Sequence, residues 1–85
     1  MIKFYPSGVR AYLDINNNFH RENGPAYISP TSIEYFIHGK RHRIDGPAIK
    51  LIFIYDKDYW YYDGKYVPVN SQEEFERYIK LLVFI

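Results

Sequence analysis

The chain has 85 residues, a formal net charge of +1, no cysteine, 47% hydrophobic residues and 20% aromatic ones. These values exclude disulfides, thiolate metal sites, a disordered chain and a globally basic nucleic-acid binder. They leave a single domain with one small core. Met1 to Tyr5 lacks the apolar run of a signal peptide, and the absence of cysteine fits a reducing compartment, so a cytoplasmic setting is expected. Pro6-Ser7-Gly8 then signals a turn, and the strand that follows ends at Asn17-Asn18.

Next comes the feature that organises the chain. His20-Arg21-Glu22-Asn23-Gly24-Pro25-Ala26 reappears 22 residues later as His42-Arg43-Ile44-Asp45-Gly46-Pro47-Ala48. A repeat of this period is one supersecondary unit that buries its apolar face against its neighbours. Upstream, Tyr35-Phe36-Ile37-His38-Gly39-Lys40 aligns with Leu13 to Asn18 and, with three extra residues between, with Trp60-Tyr61-Tyr62-Asp63-Gly64-Lys65. Strands are expected over each aromatic or branched run, over 26–29 and over 48–55. Turns are expected at Gly39-Lys40, Gly64-Lys65, Pro30-Thr31-Ser32 and Asp56-Lys57-Asp58. Asn23-Gly24 and Asp45-Gly46 are strong turn pairs, so Gly24 and Gly46 are expected to hold backbone conformations closed to other residues.

From Asn70 the pattern changes. Ser71 and Glu74 have capping-box spacing, and Phe75, Tyr78, Ile79 and Leu82 fall on one helical face. The reading is therefore mainly β (α+β): a single domain over 1–85. It is an antiparallel meander of about six strands from 22-residue hairpin repeats (1–69), closed by one C-terminal capping helix (70–85).

The His-Arg-x-Asp/Asn-Gly-Pro-Ala signature, preceded by aromatic-aromatic-x-x-Gly-Lys, resembles a repeat of small proteins from tailed phages and giant viruses. Those repeats are similar to MORN-type β-hairpin repeats. The resemblance covers roughly residues 4–80. It implies a hairpin meander and a phage-encoded inhibitor of a host (defence) protein, working in the host cytoplasm. The signature itself is specific for no activity.

Several residue groups carry chemistry in principle. His20 and His42 lie near Glu22 and Asp45, as a base and its orienting carboxylate would. A residue that recurs with the repeat more often builds the repeat. His20, Arg21, Gly24, Pro25, His42, Arg43, Asp45, Gly46 and Pro47 are accordingly read as scaffold, with no catalytic residue, no metal site and no cofactor. Lys40-Arg41-His42-Arg43 is the only dense basic cluster, and single-stranded nucleic acid at residues 40–43 is the alternative function. The aromatic excess is the more informative signal. Alternation sends Trp60 and Tyr62 to one sheet face and Tyr59 and Tyr61 to the other. Tyr, Trp and Arg are the residue types of interface hot spots. The expected function is non-enzymatic binding of a protein partner, through Tyr35, Lys40, Arg41, Trp60, Tyr62 and Tyr66. A homodimer through the apolar tail Leu81 to Ile85 is a further expectation, and that tail is far short of the ~20 residues of a membrane span.

Overall fold

Frequent turn signals keep the strands short. The computed structural model describes residues 1–52 and 56–83, and the expected strand over 48–55 thus lies partly outside the described residues. Within them run β1 (Ile2–Phe4), β2 (Arg10–Tyr12), β3 (Tyr27–Ile28), β4 (Ser32–Glu34), β5 (Phe36–Ile37), β6 (Lys40–Arg41), β7 (Ile49–Leu51), β8 (Lys57–Tyr62) and β9 (Lys65–Val67). One helix, α1 (Gln72–Val83), closes the chain. The protein is mainly β: an antiparallel meander and a C-terminal helix, in a slab of 43 × 33 × 17 Å. Lys57 and Asp58, expected in a turn, already belong to β8. They pair with Leu51 and Lys50, and Lys50 Nζ meets Asp58 Oδ1 at 3.5 Å.

Sequence neighbours do not pair throughout. The main sheet runs β1-β2-β3-β4-β7-β8-β9, and β5–β6 stands apart as a two-stranded hairpin. Tyr35 is where the chain leaves the sheet. Its N–H donates to Ala48 O at 2.7 Å, while its carbonyl accepts from His42 N–H at 3.1 Å, outside that ladder. The hairpin then joins a second row. Gly39 N–H donates to Phe19 O, and Gly64 N–H donates to Arg41 O, each at 2.8 Å. The row thus stacks the loop closed by the Leu13–Phe19 bridge, the β5–β6 hairpin and the end of β8–β9.

The tight turns fall one residue earlier than expected. His38-Gly39 has φ of +46° and +85°, and Asp63-Gly64 has +49° and +84°. Two consecutive positive φ values in a two-residue loop make a type I′ turn, whose twist matches that of the flanking strands. The first repeat solves the problem differently. Asn16-Asn17-Asn18 lengthens its loop by one residue, and Asp14 Oδ1 accepts from Asn16 N–H and Asn18 N–H at 2.9 and 3.0 Å. That insertion shifts the alignment of the repeats. The equivalent positions are Tyr12, Tyr35 and Trp60, rather than Leu13, Tyr35 and Trp60.

Asp14 carries a pH consequence. Its other oxygen accepts from His38 Nδ1 at 2.8 Å. That bond, together with the loop amides, holds its carboxyl down from 3.8 to about 2. A depressed folded-state value means the stabilisation is complete above about 4 and is lost as pH falls through about 2. Asp14→Asn is therefore expected to flatten the fall in melting temperature across that window. Parallel wild-type and variant curves would contradict it.

Recurring residues of the motif have visible jobs. Arg21 lies over the Tyr12 ring at 3.9 Å and donates through Nη1 to Pro25 O at 3.3 Å. Arg43 repeats this over Tyr35 at 4.0 Å, with Pro47 O at 3.2 Å. Gly24 and Gly46 do not hold positive φ. They are needed because a Cβ on Gly24 would sit 3.0 Å from Arg21 Cζ, and one on Gly46 2.6 Å from Arg43 Cζ. Each guanidinium thus fills the space between a Tyr ring and a bare backbone. Ala26 and Ala48 close the motif, both fully buried, with carbonyls that accept from Tyr12 and Tyr35 N–H.

The third unit lacks the motif, and α1 takes its place. Trp60, at the Tyr12/Tyr35 position, is covered by Phe75 and Val67, with Tyr62, Val69, Tyr78 and Ile79 packed around them. Ser71 caps the helix by accepting from Glu74 N–H at 3.2 Å. Gln72 locks the dock: it accepts from Trp60 Nε1–H at 2.9 Å and donates to Ile44 O at 2.9 Å. Leu82, expected on the buried face, sits at its rim and is 38% exposed.

Candidate protein-binding face

Two faces of the slab differ in what they offer. On one side lie the Tyr–Arg–Gly sandwiches and the helix. Each motif histidine there tethers the next hairpin. His20 Nδ1 accepts from His38 N–H at 2.9 Å, and His42 Nδ1 accepts from Asp63 N–H at 2.8 Å. An Nδ1 that accepts places the proton on Nε2. His20 also stacks on His38 at 3.9 Å, and His42 meets the edge of Tyr62 at 5.0 Å. Between the two motif bends lies a cleft of about 590 Å³, lined by residues that include Arg21, Glu22, Tyr35, His42, Arg43 and Asp45. Its positive and negative side chains balance. Arg43 donates through Nε to Asp45 Oδ1 at 2.9 Å, which holds that carboxyl below its ordinary value.

The opposite side carries a run of touching rings. Tyr27 meets Phe19 at 5.6 Å, and Phe19 meets Phe36 at 5.1 Å. Arg41 then spans Phe36 (5.2 Å) and Tyr61 (5.6 Å). Tyr66 closes the run against Tyr61 at 5.6 Å and Tyr59 at 6.2 Å, with Lys57 Nζ 6.0 Å from the Tyr59 ring. The register explains it. The two-residue loop Asp63-Gly64 pairs Tyr61 with Tyr66, on the face opposite the Trp60–Val67 pair that the helix covers. Arg41 is fixed there, because its Nε and Nη2 both donate to Glu34 Oε1 at 3.3 and 3.1 Å. Glu34 in turn accepts from Ser32 Oγ at 3.1 Å.

The six expected contact residues therefore do not form one patch. Arg41 and Tyr66 lie together on the open face, with Tyr66 53% exposed. Trp60 is only 6% exposed and anchors the helix, so it offers nothing to a partner. Tyr62 packs into that same core, and Tyr35 lies beneath the Arg43 guanidinium. Lys40 is exposed at the hairpin end, 3.7 Å from Asp63. Tyr59, Tyr61 and Lys57 take the vacated places. Strand alternation already separates Tyr59 and Tyr61 from Trp60, and the pairing across Asp63-Gly64 would have added Tyr66 to them.

Among the described residues no three His, Cys, Asp or Glu side chains gather as a metal site, and no helix is long and apolar enough to cross a membrane. Comparison with protein-family models, curated proteins and solved structures returns no match.

Proposed function

We propose that this protein is a non-enzymatic binding module that engages a protein partner through the face opposite its helix. One observation carries the reading. Tyr59, Tyr61 and Tyr66 interlock on the uncovered side of β8–β9, with Arg41 held rigidly beside them. Rigid rings and a fixed guanidinium present area at low entropic cost, as hot-spot residues do. Lys57 flanks the cluster beside the Tyr59 ring and makes no ion pair among the described residues. The favoured partner surface is therefore acidic around an apolar centre. Under the viral resemblance the partner is a host protein and the outcome is its inhibition.

Single-stranded nucleic acid is the second reading, and the ring geometry disfavours it. Bases stack on open parallel ring faces. Here the rings meet at 55° and 60°, and Arg41 lies over Tyr61. Arg41 and Lys40, two cations of the basic cluster, are already paired with Glu34 and Asp63. Arg41→Glu combined with Tyr66→Ala is expected to abolish partner binding; the reversed charge then faces Glu34 and lowers stability, so binding is read at a temperature where the variant is folded. Binding that survives this variant would remove the face from the proposal. A steep fall of affinity with salt, with nucleic acid recovered, would favour the second reading.

Self-association is a separate proposal. Leu81 is 67% exposed and Leu82 38%, one turn beyond the helix's buried face, while Phe84 and Ile85 lie outside the described residues. Two copies packing there are expected to sediment as a dimer at concentrations of tens of micromolar, a rough range for weak interfaces. A monomer at that concentration would contradict it.

A further inference from the structure

The two motif bends are alike in all but one contact. Both arginines stack on a Tyr ring, and both donate Nη1 to a Pro carbonyl. Only Arg43 has a carboxylate at Nε, supplied by Asp45 at 2.9 Å. The first bend has Asn23 at that position, and Asn23-Gly24 is the only Asn-Gly pair in the sequence. Asn23 is exposed. Gly24 has no side chain to shield its backbone nitrogen, and among the described residues its N–H donates to no acceptor. These are the conditions under which an asparagine loses its amide. A free glycine nitrogen is the least hindered nucleophile the backbone can offer.

We propose that Asn23 is a site of spontaneous deamidation, and that its aspartate product completes in the first repeat the Arg–Asp ion pair of the second. Gly24 N attacks the Asn23 side-chain carbonyl carbon and forms a C–N bond. The bond to the side-chain nitrogen breaks, and ammonia leaves carrying the proton that Gly24 N gives up. Water then opens the five-membered imide. Cleavage between Gly24 N and the side-chain carbonyl restores the normal backbone and leaves a carboxylate at position 23. Cleavage at the main-chain carbonyl gives isoaspartate instead. The balance is one amide and one water in, one carboxylic acid and one ammonia out. Only the first product keeps the bend's length. Its carboxylate meets an Arg21 guanidinium held as Arg43 is held, by a ring on one side and a bare glycine on the other. The isoaspartate product adds a carbon to the backbone between Arg21 and the Pro25 carbonyl that Arg21 grips.

The test uses the purified full chain, incubated at mildly alkaline pH and followed by peptide mapping with mass spectrometry, beside an Asn23→Asp variant. Asn23 is expected to convert before Asn16, Asn17, Asn18 and Asn70. Asn23→Asp is expected to melt about 1–4 °C above wild type at neutral pH, as an exposed ion pair in a small domain would give. That gain should vanish in an Arg21→Lys background, where the forked donor is gone. The proposal is overturned if Asn23 keeps its amide while another asparagine converts, or keeps it through several weeks. It is equally overturned if Asn23→Asp melts at or below wild type, or keeps its gain without Arg21.

Discussion

Replacing Phe75 with Ala is expected to cost about 3–5 kcal/mol, enough to leave much of this small domain unfolded at ambient temperature. Phe75 is fully buried, and its ring is the helix's main contribution to a core whose other members are Trp60 and Val67. Among the described residues, three of the eight buried apolar residues are alanines at the sheet and motif positions, which leaves little other apolar mass there to hold the array. The loss would also strand the Trp60 indole, whose N–H depends on Gln72 of the same helix. Urea unfolding followed by Trp60 fluorescence reads the effect directly. Deleting residues 70–85 should go further and give an aggregating sheet, since Trp60 and Val67 then face water. A loss below about 1 kcal/mol for Phe75→Ala, or a soluble cooperative fragment 1–69, would show that the helix is an accessory.

The second large effect is expected at Gly46. A valine there places Cβ 2.6 Å from Arg43 Cζ, and the guanidinium cannot step aside while Tyr35, Pro47 and Asp45 hold it. The expected cost is about 1–3 kcal/mol. Gly24→Val should cost less, because the corresponding distance is 3.0 Å and Arg21 has no carboxylate partner. The cause is separable from backbone strain by a double-mutant cycle. In an Arg43→Ala background the Gly46→Val penalty should shrink, since the clashing group is gone. An undiminished penalty would return the explanation to backbone conformation.

Much of this architecture was legible in the residues. The 22-residue repeat, the turn pairs and the capping-box spacing mark a hairpin meander closed by a helix. The alternation of 59–62 separates Tyr59 and Tyr61 from Trp60 and Tyr62. What was not legible depended on contacts between repeats. Asp45-Gly46 reads as a tight turn by local propensity, yet the positive φ values fall at His38-Gly39 and Asp63-Gly64, while Gly46 is kept small by an arginine three residues back. His20 and His42 look like catalytic candidates in sequence, and their use as acceptors for the next hairpin's backbone emerges only when the rows stack. Trp60 looks like an interface anchor because composition ranks it so. Its burial follows from its being the third repeat's equivalent of Tyr12 and Tyr35, an equivalence hidden by one extra residue in the Asn loop.

Under the proposed function the motif residues hold the array, and the open aromatic face with Arg41 does the binding. The most direct test compares three tagged chains as baits in cell lysate, with quantitative mass spectrometry of what each retains. The baits are wild type, Arg41→Glu/Tyr66→Ala and His42→Ala, each used at a temperature where its fold is intact by circular dichroism. The expected result is a specific protein, free of nucleic acid, that is retained by wild type and by His42→Ala and lost from the double variant. A partner lost from folded His42→Ala and kept by the double variant would place the binding site on the motif side and contradict the assignment.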